Sequence, residues 1–320
     1  MKSLLLSLFA LIFVCSCQPK KKNHTENSDA SIKDTIDKEA IPFPDELVKF
    51  ETYTENPVFE GTGELTWDQS IRERGYILKE DDTYHMWYTG LSTDKAPLAL
   101  GYATSSDGIT WKRYSDKPIF NDSWTEDMMV LKVDDTYHMF AEGQGDIAHR
   151  LSSTDRINWK DHGSLDIRTT YGEPLSEGPY GTPTVWRENN LWYLFYERGD
   201  LGIWLATSED LNIWTNVQDD PVIAMGPEIY DQYGVAVNQI LKYKGWYYAF
   251  YHSTAFKDWH EWSTNVAASK DLIHWTKYDE NPIIGENKSS GILVPDGDNY
   301  RLYTMHDKVE LHYPVGESTK

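Results

Sequence analysis

An aromatic hairpin recurs five times along this chain, and a chain of such repeats can bury its strands only by stacking each copy against its neighbours. The first copy, Asp81-Asp82-Thr83-Tyr84-His85-Met86-Trp87-Tyr88, is echoed by Asp134-Asp135-Thr136-Tyr137-His138-Met139-Phe140. Looser copies occupy residues 190–196, 245–251 and 298–303. Each joins a hydrophobic strand to an aromatic one through a polar turn of Asp, Asn or Gly, the chemistry of a β-hairpin. A second unit, Ser106-Asp107-Gly108-Ile109-Thr110-Trp111, follows the first hairpin, and its counterparts end at Trp159, Trp214 and Trp275. These tryptophans are 48, 55 and 61 residues apart, close to the length of a four-stranded propeller blade. Asn56-Pro57 before the first hairpin matches Asn281-Pro282 before the last. The pattern predicts an all-β, five-bladed β-propeller. A sandwich would not place the same turn and Trp after successive hairpins.

The chain opens with Lys2, an apolar run from Leu4 to Val14 and then Cys15-Ser16-Cys17, the layout of a bacterial secretory leader ending in a lipoprotein cleavage box. The run is shorter than the roughly 20 residues a spanning helix needs. Residues 1–17 are therefore expected to be a signal peptide, with Cys17 the lipidated residue of an anchored chain; Gln18 after it resembles the sorting pattern of outer-membrane lipoproteins. Residues 18–45 are polar and nearly free of aromatics, too poor in apolar surface to fold, and read as a tether. Residues 46–320 are the propeller. Both cysteines lie in the leader, so burial rather than disulfides must stabilise the fold. The net charge of −21 argues against nucleic acid as a partner, because phosphate binding needs a basic face. Most of the 13 Trp and 21 Tyr belong to the core, leaving a minority to line a sugar site.

A propeller gathers residues distant in sequence into one funnel, because the innermost strands all surround a central channel. Asp68, Glu73 and Arg74 precede the first hairpin, Asp127 the second, Glu177 the third, and Asp231 and Gln239 the fourth; His306 ends the fifth aromatic strand. Glycoside cleavage needs a proton donor for the departing oxygen and a second group to activate water, and carboxyl groups about 6.5–9.5 Å apart suit inversion. Crowded carboxylates also separate one another's pKa values. A ring of Asp68, Asp127, Glu177 and Asp231 meets both requirements. Arg74 would orient substrate or a carboxylate, His306 would be a core histidine or a proton donor, and His252 would hold water or a metal ion. Asp107, Asp155, Asp210 and Asp271 repeat with the blades and read as turn caps. No cofactor is required, although a structural cation could plug the channel. No metal-ligand spacing, phosphate-cradling loop or nucleophile elbow is present in the sequence.

The repeated Tyr-His-Met-Trp-Tyr strand, the segment Gly101-Tyr102-Ala103-Thr104-Ser105-Ser106-Asp107-Gly108 and its echoes at Ala206-Thr207-Ser208 and Ala267-Ala268-Ser269 resemble the five-bladed glycoside hydrolases of families 32, 43, 68, 117 and 130. Family 43 uses an Asp, an Asp and a Glu from its first three blades; counting back from Tyr137 places Asp127 at the second position, while the same count gives Arg74 and Thr182 at the others. Val237-Asn238-Gln239 and Tyr303-Thr304-Met305-His306-Asp307 are similar to family 117, where resemblance implies two Asp residues and a C-terminal His acid, here Asp68, Asp231 and His306. The expected function is an inverting, exo-acting glycoside hydrolase on oligosaccharides from algal or plant glycans. Asp68 would be the base, Glu177 or His306 the acid, and Asp231 a further catalytic carboxylate; Asp127, Arg74, Gln239 and His252 would tune pKa or bind substrate. A non-catalytic glycan-binding lipoprotein and a family 130 phosphorylase are the alternatives, the latter requiring a cluster of cations for phosphate.

Overall fold

A computed structural model of the protein describes residues 42–92, 98–175 and 178–316. The leader with Cys17, nearly all of the tether and Glu177 lie outside the described residues. Five blades follow in chain order, antiparallel except where Asp166–Arg168 runs parallel to Ile213–Asn216 at the outer edge of blade three. Their innermost strands are Ser70–Glu80, Glu126–Val133, Thr184–Glu188, Gly234–Tyr243 and Ile292–Asp296. The aromatic strand pairs with each innermost strand, and a third and fourth strand complete blades one to four. The last blade takes its outer strand from the other end of the chain: Phe50–Thr52 pairs with Lys308–Pro314, setting Phe50 opposite Pro314. That pairing closes the ring without a covalent link. Packing begins at Pro42, inside the stretch read as tether, where the carbonyl of Pro42 accepts from Tyr248 and Phe43 lies on Tyr278.

The middle strands are covered by blades on both sides, so they are apolar almost throughout instead of alternating; every residue of Trp246–Thr254 is buried. The turn tryptophans join blade to blade. Trp111 meets Tyr303, Trp159 meets Trp87, Trp214 meets Phe140 and Trp275 meets Phe195, each edge to face at 5.9–6.5 Å and each on the aromatic strand of the preceding blade. The fifth place is filled differently: Leu47 and Val48, in the short helix Asp45–Val48, join the cluster around Phe250. As expected, the Asp of each turn unit is a cap; Asp107 accepts from the backbone N–H groups of Ile109 and Thr110, and Asp155, Asp210 and Asp271 repeat this bonding.

On the hairpin-turn face an ionic clasp joins some neighbours and an apolar one joins the others. Glu80 of blade one accepts from Lys132 and Tyr137 of blade two at 2.7 and 2.6 Å. Glu188 of blade three takes Lys242 and Tyr247 of blade four, and Asp296 of blade five takes Lys79 and Tyr84 of blade one. Where Val133 or Tyr243 replaces the acid, His138 meets Trp192 and Tyr243 meets Tyr300, both edge to face. Such partly exposed pairs contribute roughly 0–1 kcal/mol each, so they set blade order more than stability.

At the centre, Arg74 ties four blades together. Its guanidinium donates to the Thr184 hydroxyl at 2.9 Å, to the carbonyls of Val237, Asn238 and Pro183 at 2.7–2.9 Å, and to the carbonyl of Asp127. Gln239 makes a two-way amide contact with Leu293, 2.9 Å in each direction, linking blades four and five. Together they close the floor of the funnel.

If the inter-blade aromatic contacts dominate stability, Trp214→Ala, which empties a fully buried site, should cost about 3–5 kcal/mol. Thermal or urea unfolding reads the loss. Leu65→Ala, at a residue 98% exposed, should stay within about 0.5 kcal/mol of wild type.

Candidate functional site

Above the Arg74 floor lies a cavity of about 390 Å³ to which every blade contributes. Arg72 and Glu73 come from blade one, Asp127, Glu142 and Asp146 from blade two, and Thr182, Glu197 and Asp200 from blade three. His252, Trp259 and Trp262 come from blade four, and Ser289 and Ser290 precede the first strand of blade five. A larger cavity of about 550 Å³ sits at the Glu80 clasp, but its carboxylate is already held by Lys132, Tyr137 and Arg156.

The backbone is irregular where it meets the cavity. Glu73, Asp127, Thr182 and Ser290 adopt φ of 54°, 45°, 43° and 57°, the left-handed region that non-glycine residues seldom occupy. The ladder of blade one skips between Arg72 and Tyr76, that of blade two between Glu126 and Met129, and that of blade four between Val237 and Gln239. Such bulges re-aim side chains that a regular strand would point into a neighbouring blade. Strain of this kind persists only where surrounding contacts over-determine it, and here Arg74 bonds to the bulges of blades two and four.

Electrostatics divide the lining carboxyls into two kinds. Burial pushes Glu73 up, but His306, 3.6 Å away, and Arg72, 3.4 Å away, outweigh it and hold the carboxyl below its usual range. Burial first, and then the charge of Glu73, push Asp127 up to about 7. Glu126 and Asp200 rise to about 8, each chiefly by burial and then by a neighbouring carboxylate. Glu142 is driven well above the carboxylate range by burial and Asp127. Burial also raises Glu197, although its two oxygens accept the backbone N–H groups of Gly181 and Asp200 at 2.7 and 2.6 Å. One carboxylate is thus kept ionised beside several that retain protons near neutrality. His252 is lowered to about 3 by burial and then by Arg74, so its ring stays neutral. Its Nδ1 lies 2.7 Å from Asn238 Oδ1, which only accepts, and this places the ring proton on Nδ1.

Of the residues expected at the site, Asp127 and His252 line the cavity, and His306 reaches it through Glu73. Arg74 is 0% exposed beneath the cavity and is not among its lining residues. Gln239 is likewise occupied by Leu293. Asp68 is buried away from the lining, accepting from Tyr88 and from Arg113 at the outer edge of its own blade, 2.7 Å away. Asp231 repeats that arrangement in blade four, paired with Lys277 of the outermost strand. Both carboxylates sit just ahead of an innermost strand and clamp it to the outer edge. Glu177 lies outside the described residues.

Several lining residues were overlooked although the repeat marks them. Counted from the aromatic after each hairpin turn, Glu142, Glu197 and His252 hold the same position in blades two, three and four, at the end of an otherwise apolar strand. A polar residue recurring there is the signal. Glu73, expected near the funnel but with no role assigned, is the lining residue of blade one because its bulge has one residue more than that of blade two: three residues face Tyr88, whereas two face Ala141. Trp259 and Trp262 flank a loop with no repeat to mark them.

No family model matches the chain. It is 25% identical over 222 residues to a 1,2-β-oligomannan phosphorylase of Thermoanaerobacter sp. (strain X514), a match covering 65% of this chain and 72% of that protein. Among solved structures, a glycosyl hydrolase from Bacteroides ovatus superposes with a TM-score of 0.71 at 16% identity, covering 88% of this chain and 98% of that one. A structure from the GH130 family of mannoside phosphorylases, which contains glycoside hydrolases targeting β-1,2 mannosidic linkages in Candida mannan, gives 0.68 at 17% identity, covering 87% and 98%. The propeller is therefore one that glycoside-processing enzymes share.

The raised carboxyls make stability depend on pH. Unfolded Asp titrates near 3.9, so between about pH 4 and the native values near 7 and 8 the folded chain holds protons the unfolded chain has released. Stability contributed by these groups therefore falls as pH rises through that window. Asp200→Asn and Asp127→Asn should raise Tm relative to wild type more at pH 8 than at pH 5, as read by thermal unfolding at both values.

Proposed function

We propose that the chain is an inverting, exo-acting glycoside hydrolase for neutral β-linked mannosides, with Asp127 as the general acid and Glu73 as the base that activates water. The carrying observation is the split between these neighbours: Asp127 is held protonated up to about 7 while Glu73 is held ionised. Pairs of carboxyls whose surroundings push their pKa values apart divide the acid and base roles between them. In the first half of the reaction the Asp127 proton passes to the glycosidic oxygen as the bond to the anomeric carbon breaks. Glu73 accepts a proton from the water that attacks that carbon from the opposite face. The protonated carboxyls of Glu142 and Asp200 both donate and accept, which suits them to sugar hydroxyls. The closed floor supports the exo mode, since a glycan enters from one side and stops.

A second reading, phosphorolysis, is favoured by the oligomannan phosphorylase relative. The charge around the site argues for water instead. Arg72 is already paired with Glu126 at 3.1 Å and Glu73 at 3.4 Å, His306 is paired with Glu73, and His252 is neutral. Phosphate would find no free guanidinium among these residues and would face the ionised Glu73, whereas water carries no charge.

Incubation with β-1,2-mannobiose, with and without inorganic phosphate, separates the readings. Release of mannose that phosphate does not accelerate is expected; mannose 1-phosphate formed only when phosphate is added would contradict the proposal. kcat/KM should fall as pH rises through about 7, because the acid loses its proton. Asp127→Asn should lower kcat by about 10²–10⁴ without loss of folding.

A further inference from the structure

The rim of the funnel at blade four carries aromatic surface that acid–base chemistry does not use. Trp259 is 51% exposed although it lines the cavity, and Tyr233 and Phe256 beside it are also exposed. An apolar patch continuous with a ligand cavity marks an interaction surface. The loop holds its shape through its own bonds. The Trp259 indole N–H donates to the Tyr233 carbonyl at 3.0 Å, and the Trp259 backbone N–H to the Phe256 carbonyl at 3.1 Å. Its own carbonyl accepts the Trp262 indole N–H at 3.1 Å, while the Trp262 backbone N–H reaches Asn287 at 3.0 Å. Trp259 sits at a φ of 56°, so the backbone is turned to keep the ring on the rim. Trp262 packs edge to face on His252 at 5.1 Å, which connects the rim to the cavity interior.

We infer that Trp259, supported by Trp262, is the stacking platform of a distal sugar subsite that binds a pyranose beyond the scissile bond and sets the preferred length of the oligosaccharide. The indole N–H is already bonded, so the exposed ring offers an apolar π face and not a hydrogen bond. The axial C–H groups on one face of a pyranose are apolar and slightly positive, and they complement the negative face of an indole. The occupant is the substrate's own chain: the floor is closed, so residues that do not fit the cavity must leave past this rim.

This inference rests on the glycoside-processing reading, and the test separates the two. Binding of β-1,2-linked mannobiose, mannotriose and mannotetraose to the Asp127→Asn protein is followed by calorimetry, with and without Trp259→Ala; kcat and KM are measured in the Asp127 background. Affinity is expected to rise with length, and Trp259→Ala should weaken the longest ligand by about tenfold more than the shortest, mainly through KM in turnover. Trp259→Tyr, which keeps a flat aromatic face, should restore most of the difference. Equal losses at every length, or none, overturn the subsite. Length-dependent binding that needs Trp259 without turnover by the Asp127 protein upholds the subsite and overturns hydrolysis. No binding by any of the ligands overturns both.

Discussion

The guanidinium of Arg74 is the contact on which the rest of the site depends. Five blades meet at an axis where each innermost strand has unpaired backbone carbonyls, and burying those without donors would cost free energy at every one. Arg74 supplies several N–H donors from a planar fork and satisfies groups from blades two, three and four. Four of the channel carbonyls accept from this one side chain. The charge survives burial, since the group is lowered only to about 10. Its lining consequence is geometric: the bulges that place Asp127 and Asn238 are the ones its bonds reach.

Above that hub, the chemistry follows from crowding and unequal compensation. Glu73 faces His306 and Arg72, whereas Asp127, Asp200 and Glu142 are raised chiefly by burial and then by the carboxyls of Glu73, Glu197 and Asp127 respectively. The result is an acidic funnel in which Glu73 is charged while Asp127, Glu142 and Asp200 keep protons near neutrality. Such an arrangement destabilises the fold at higher pH and at the same time keeps a proton donor ready near neutrality, a common trade between stability and activity.

The ring is legible in the sequence because hairpin turns, Asp-capped units and blade-spaced tryptophans are local signals that repeat. The funnel is less clearly legible. Asp127 stands out because it interrupts an apolar strand entry, whereas Glu142 and Glu197, at the same repeat position as His252, carry no local motif beyond that recurrence. Asp68 and Asp231 looked exceptional in sequence, yet each completes a clamp with a cation at the far edge of its blade, a pairing 45 and 46 residues away that no local pattern reveals. Which of Glu73 and Arg74 lines the cavity is set by an extra bulge residue that shifts which neighbour points inward. A slip of one residue reverses the face of a strand, and bulges are where such slips occur.

The most direct test of this account is the titration of Asp127 itself, followed by carbon-13 NMR of protein labelled at the aspartate carboxyls and assigned with the Asp127→Asn variant. The account predicts that Asp127 titrates near 7 and that Glu73→Gln, by removing the adjacent negative charge, lowers that value. An Asp127 resonance that titrates at the ordinary value of about 4, or that does not move when Glu73 is neutralised, would contradict the division of the pair into acid and base.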